Sequence, residues 1–118
     1  MLVPCPDSPN CVSTLAAPQD SRHAIRPYLY TKNTSEVKAA LKAVIAALPR
    51  TKLIQDEDLY LHYEFTSLLL RFVDDVEFLL DEAAKTIHFR SASRVGYGDF
   101  GVNRSRMEEI RSRLHGKL

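Results

Sequence analysis

The sequence predicts an α+β fold, an antiparallel meander packed by one central and one C-terminal helix. Apolar and polar residues alternate along three successive stretches in the second half of the chain. A segment ahead of them repeats apolar residues at helical spacing, and the chain closes on a second helical run. With 118 residues, 45% of them hydrophobic, the chain is long enough to bury one core and too short for two. We therefore expect a single domain over 1–118, with an irregular N-terminal arm over 1–22 and an α+β core over 23–118.

The arm holds four of the six prolines, which argues for irregular structure. Ala24 to Tyr30 suits a strand, and Pro27, which has no N–H to give a ladder, puts that strand at a sheet edge. Val37, Leu41, Val44, Ile45 and Leu48 recur at helical spacing; Asn33 and Glu36 form a capping pair and Pro49 ends the helix. Thr51 to Gln55 adds a strand. Leu59, Leu61, Tyr63 and Phe65 then alternate with Tyr60, His62, Glu64 and Thr66, the period of a half-buried strand. The same pattern sets Val76, Phe78 and Leu80 against Asp75, Glu77 and Asp81, and Ile87 and Phe89 against His88 and Arg90. Asp81 to Lys85 makes the turn between these two strands. Leu68 to Asp74 fits neither period and is either a strand extension or a bent connection. The last helix runs from about Arg104 to Leu114, with Asn103 as its cap, Val102 and Met107 as a hydrophobic staple, and Ile110 and Leu114 facing inward.

Lys and Arg number 16 against 15 Asp and Glu, so no global field draws in nucleic acid or an anionic membrane. No stretch approaches the roughly 20 apolar residues that cross a bilayer. The start, Met1 to Pro6, has neither a basic n-region nor an apolar h-region, so the sequence as it stands is read as cytoplasmic, or as periplasmic or exported if a leader was trimmed. Pro4 before Cys5 makes a poor lipobox. From Arg90 to Leu118 there are seven Lys and Arg against three Asp and Glu, a local basic excess.

The tract from Arg90 to Arg104 runs from a strand end into a helix start. Free N–H groups and the helix dipole favour an anion there, and Arg94, Arg104, Ser91 and Ser93 add donors. Gly96, Gly98 and Gly101 spell G-x-G-x-x-G, but no βαβ unit and no later strand surround them, so a dinucleotide site is rejected. The glycines instead permit positive φ in a tight turn, and Asp99 or Asn103 caps the helix. Asp75 and Glu77 share a strand face near the arginines. Together with Asp74 they are able to act as acid and base or to hold a hard cation, but ion pairing with arginine is the stronger reading. Cys5 and Cys11 are able to pair, bind metal or stay free. Two cysteines with no matching histidine spacing make no zinc site, and a pair of thiols is the expectation. His62 and His88 lie on polar strand faces, next to each other or to Glu64. Tyr60, Tyr63 and Tyr97 read as packing residues more than as a stacking platform.

Two segments, Cys5-Pro6-Asp7-Ser8-Pro9-Asn10-Cys11-Val12-Ser13 and Arg90 to Tyr97 with Asp99, Gly101, Asn103 and Arg104, resemble the family called domain of unknown function 1499. Phe72 to Phe78 looks like that family's middle motif. Gly98 departs from it, since a serine is usual there. The family occurs in bacteria and plant plastids and has no assigned activity. What the resemblance implies is a set of positions that matter: Asn10, Asp74, Asp75, Arg90, Ser91, Ser93, Arg94, Asp99, Asn103 and Arg104, gathered around one surface.

The leading expectation is a non-catalytic binding module without metal or cofactor. In it Arg90, Ser91, Ser93, Arg94 and Arg104 hold a small anion or a partner protein's carboxylate, and Asp74 and Asp75 orient the arginines. The alternatives are a hydrolase-like enzyme using Asp74, Asp75 or Asp99, and a purely structural or protein-interaction domain in which the three motifs lock together.

Overall fold

The computed structural model describes residues 2–96 and 98–118. Along the chain run β1 (Cys11–Ser13), β2 (Tyr28–Leu29), α1 (Thr34–Ala46), β3 (Thr51–Glu57), β4 (Tyr60–Thr66), β5 (Val73–Asp81), β6 (Thr86–Ser93) and α2 (Val102–Arg113). The strands form one antiparallel sheet in the order β1-β6-β5-β4-β3, with β2 also paired to β6. The expected α+β architecture, a meander with a central and a C-terminal helix, is what the chain adopts.

The period-two pattern explains the layering. Leu61, Tyr63 and Phe65 of β4, Val76, Phe78 and Leu80 of β5, and Ile87 and Phe89 of β6 all point to one face. There they meet Val37, Leu41, Val44 and Ile45 of α1 and Met107 and Ile110 of α2 in a single apolar cluster. Phe78 and Phe89 are register partners with ring centroids 6.3 Å apart, and Tyr28 stacks on Phe89 at 4.5 Å. Burying an aromatic or aliphatic side chain of this size contributes about 1.5–3 kcal/mol, so this cluster is the main stabilising term. Among the described residues, no helix covers the opposite face of the sheet. The capping pair at α1 forms as expected: Asn33 Oδ1 accepts from Glu36 N at 2.9 Å, and Asn33 Nδ2 donates to Glu36 Oε1 at 2.6 Å.

Several expectations are corrected. The arm is not wholly irregular, because Cys11–Ser13 adds a strand to β6. Cys5 and Cys11 are joined in a disulfide rather than standing as thiols; the proline-rich segment doubles back and brings their Cα atoms to 5.8 Å. The strand expected over Ala24 to Tyr30 shrinks to Tyr28–Leu29. Pro27 cannot donate, and the carbonyls of Arg26 and Pro27 accept from Arg111 of α2 at 2.6 and 3.0 Å instead of joining a ladder. β3 is longer than expected, with a register shift between Leu53 and Gln55. Ser67 to Phe72 is a bent connection, whereas Val73 and Asp74 already belong to β5; Arg71 turns the chain in the left-handed region, at φ 58°.

The start of α2 also differs. Gly101, at φ 76°, holds the cap position, and Asp99 supplies the capping oxygens, accepting from Gly101 N at 2.8 Å and Asn103 N at 3.2 Å. Asn103 therefore lies inside the helix, free to turn its side chain inward. Val102 is exposed and so cannot staple Met107, which is buried.

Candidate functional site

Because successive strand residues point to opposite faces, Asp74 and Asp75 part company. Asp74 looks toward the helices and is 7% exposed; Asp75 looks out from the open face. Ser91 and Ser93 share Asp74's face, and Arg90 shares Asp75's. Nine of the ten expected positions thus fall into two groups separated by the thickness of the sheet, and Arg104 lies apart against the arm, so they do not form one surface.

The inner group is a closed polar mesh centred on Asn103, which is fully buried. Its Oδ1 accepts from Ser91 Oγ at 2.7 Å and from Arg106 Nη1 at 2.9 Å. Its Nδ2 donates to Ser93 Oγ at 3.0 Å, Asp99 Oδ2 at 2.7 Å and the Asn10 carbonyl at 3.2 Å. Asn10 in turn donates through Nδ2 to the Gly96 carbonyl at 2.8 Å, and its own carbonyl accepts from Ser93 N at 3.0 Å. Arm, strand and pre-helix loop are thereby tied at one point. Arg106, missed in the sequence, completes the mesh: Nη2 donates to Asp74 Oδ2 at 2.7 Å, and the guanidinium lies 4.9 Å from the Phe65 ring centre. Its signal was present, since Arg106 stands three residues after Asn103 and one before the inward Met107, on the buried stripe of the helix. Arg104, expected among the donors to an anion, points to the arm and donates to the Ser21 and Arg22 carbonyls at 3.4 and 3.3 Å.

The outer group lies across three strands. Arg94 grips Asp75 with two donors, Nε to Oδ2 at 2.8 Å and Nη2 to Oδ1 at 2.9 Å, and also donates to Glu64 at 2.6 Å. His62 Nε2 sits 2.8 Å from Asp75 Oδ1, so its partner is Asp75 and not His88 or Glu64. His88 Nδ1 is instead 3.0 Å from Thr14 Oγ1 of the arm. Tyr60 donates to Glu77. Tyr63 belongs to the core, where burial pushes its phenol up to about 12. Tyr97 lies outside the described residues.

Arg90 is the least satisfied member. Its side chain is only 13% exposed, yet Nη1 is 3.8 Å from Glu77 Oε1, Nη2 is 3.5 Å from the Pro4 carbonyl, and Nε is buried with no partner among the described residues. The arm passes close by and is itself pinned by His23, whose ring nitrogens face Asp20 Oδ2 at 2.7 Å and the Ser8 carbonyl at 2.9 Å. Burial pulls the His23 pKa down, but the Ser8 carbonyl and the Asp20 carboxylate outweigh it and hold the group above its ordinary value.

The Arg94 fork, against burial and with help from His62, holds the Asp75 carboxyl below its ordinary value. A depressed carboxylate stabilises the fold above its unfolded pKa and loses that contribution as pH falls through the folded one. Unfolding free energy should therefore decline on acidification below about pH 4, and Asp75→Asn should flatten that decline. Urea titrations of both proteins across this range measure it; equal slopes would show that Asp75 is not a source.

No group of three or more His, Cys, Asp or Glu side chains is placed to hold a metal among the described residues, and no helix there is long and apolar enough to cross a membrane. Fold and site define a class: a two-layer α+β chain whose N-terminal, mid-chain and pre-helix motifs are cross-tied through one sheet. The chain belongs to the family described as protein of unknown function DUF1499, whose family model matches residues 1–114. No curated protein and no solved structure matches it.

Proposed function

We propose that this chain is a non-catalytic binding module that takes a small anion, or a carboxylate presented by a partner protein, on the open face of the sheet, with Arg90 as the receiving group and Arg94 at its flank. The observation that carries this reading is the half-used guanidinium fork of Arg90, largely withdrawn from water but, among the described residues, with only long contacts and no partner for Nε. A guanidinium pairs best with a planar or tetrahedral oxyanion that accepts two of its N–H groups at once, and a buried donor left unmatched costs about 1–3 kcal/mol, which such a ligand would recover.

Catalysis finds less support. Asp74 is engaged by Arg106, Asp75 by Arg94 and His62, and both Asp99 oxygens by backbone and Asn103 donors. Asp75, held below its ordinary pKa, is a weak base at neutral pH.

A thermal-shift series with inorganic phosphate, sulfate and small carboxylates, run on the parent and on Arg90→Met, tests the proposal. Methionine keeps an unbranched apolar stem and removes the fork. The parent should gain about 2.7 kcal/mol at a ligand concentration of 100 Kd, and the variant should gain nothing. No response in the parent to any of these anions would reject the anion site and favour the purely structural reading, which the closed mesh around Asn103 supports.

A further inference from the structure

Seven of the large hydrophobic side chains that stand exposed come from two stretches at one end of the sheet. The β4–β5 connection presents Leu68, Leu69, Leu70 and Phe72, at 64%, 87%, 70% and 50% exposure. The β6–α2 connection and the first residue of α2 present Val95, Phe100 and Val102, of which Phe100 is fully exposed. The two stretches are neighbours: Arg94 N donates to the Val73 carbonyl at 3.1 Å, and Leu68, Phe100 and Val102 line the same cleft of about 460 Å3. Scattered single apolar residues on a surface need no explanation, but a cluster of this kind marks a contact surface.

We infer that this end of the molecule docks on the interface of an anionic lipid bilayer, with the leucine loop and Phe100 entering the headgroup region. Three observations select that occupant. First, the most exposed side chains, Leu69 and Phe100, project from loops, and a bilayer yields around such projections. Second, the leucine loop closes on itself: Ser67 N donates to the Phe72 carbonyl at 2.8 Å and Phe72 N to Ser67 Oγ at 2.8 Å. Its stem therefore leaves fewer backbone groups to be satisfied by the medium that receives it. Third, the cations at this end are free to meet lipid phosphates. Arg71 lies within the leucine loop, and among the described residues Arg50 donates only to the Thr66 carbonyl, at 3.0 Å, and Arg104 only to carbonyls of the arm. Among the described residues, none of the three pairs with a carboxylate. Apolar side chains with arginine beside them are the composition that partitions to an anionic interface.

Co-sedimentation of the chain with vesicles of phosphatidylcholine alone, and of phosphatidylcholine with phosphatidylglycerol, tests this. The parent should pellet with the anionic vesicles, and added salt should release it. A Leu69→Ser, Leu70→Ser double variant should bind about tenfold more weakly. Arg71→Gln, which leaves Arg50 and Arg104 in place, should reduce the preference for phosphatidylglycerol about fivefold. Leu29→Ser, an exposed leucine on β2, should bind as the parent does. Because the altered side chains are exposed, melting curves of all variants should match the parent's. The inference fails if the parent stays in the supernatant with both vesicles, or if the leucine variant pellets as the parent does. It fails equally if sedimentation velocity shows a parent dimer that the leucine variant abolishes without any vesicle binding, since a second copy of the chain would then cover the patch.

Discussion

Arg106→Ala should destabilise the chain by about 3–5 kcal/mol and lower its melting temperature by about 15 °C. The substitution strands the Asp74 carboxylate, whose side chain is 10% exposed, beneath α2 with its cationic partner gone. It also removes a donor from Asn103 and Ser91 and a cation from the face of Phe65. The expected size comes from the stranded charge more than from the lost contacts, so Arg106→Ala combined with Asp74→Leu should recover much of the loss. Arg104→Ala is the matched control: two residues away and bound only to carbonyls at 3.3–3.4 Å, it should stay within about 0.5 kcal/mol of the parent. Urea unfolding of the four proteins gives the comparison. Similar losses at Arg104 and Arg106 would mean that the buried pair is not what secures α2 to the sheet.

Asn103→Leu should cost about 3 kcal/mol even though it changes side-chain volume little. Five groups lose a partner at once: Ser91, Ser93 and Arg106, the Asp99 carboxylate and the Asn10 carbonyl. Four of them keep other partners, the Asn10 carbonyl in Ser93 N, Asp99 in the backbone N–H groups of Gly101 and Asn103, and Ser91 and Arg106 in each other, which caps the expected loss. Hydrogen exchange should report where the damage lies, with faster exchange at β1 and the start of α2 and unchanged protection in β4. Uniform loss of protection would mean that Asn103 supports the core as a whole.

The core strands were legible because their faces differ sharply in polarity: burial alternates along β4, along β5 from Val73 to Leu80, and along β6 from Ile87 to Ser91. The helix at 34–46 was equally plain from its spacing and its Asn33–Glu36 pair. What the residues alone did not reveal depended on contacts distant in sequence. Cys11–Ser13 is a strand only because Arg90–Ala92 offers it a free edge, and Cys5 meets Cys11 only because the arm turns back. Arg106 looked like one more arginine in a basic helix until Asp74 and Asn103 came beneath it. For the candidate site, the ten matching positions do not share the one surface expected of them. The alternation that assigned Asp75 to one face put Asp74 on the other, and the family motif, which names neighbours in sequence, carries no mark of the sheet between them.

Adjacent carboxylates on opposite faces also give β5 a test of its own alignment. A strand displaced by one residue against β4 and β6 would exchange Asp74 for Asp75, carrying Asp75 away from Arg94 and His62 and Asp74 away from Arg106. Val76, Phe78 and Leu80 would turn to water in the same movement. A misaligned hairpin therefore leaves two acids without their cations and three apolar side chains without a core, and has every reason to come apart and pair again.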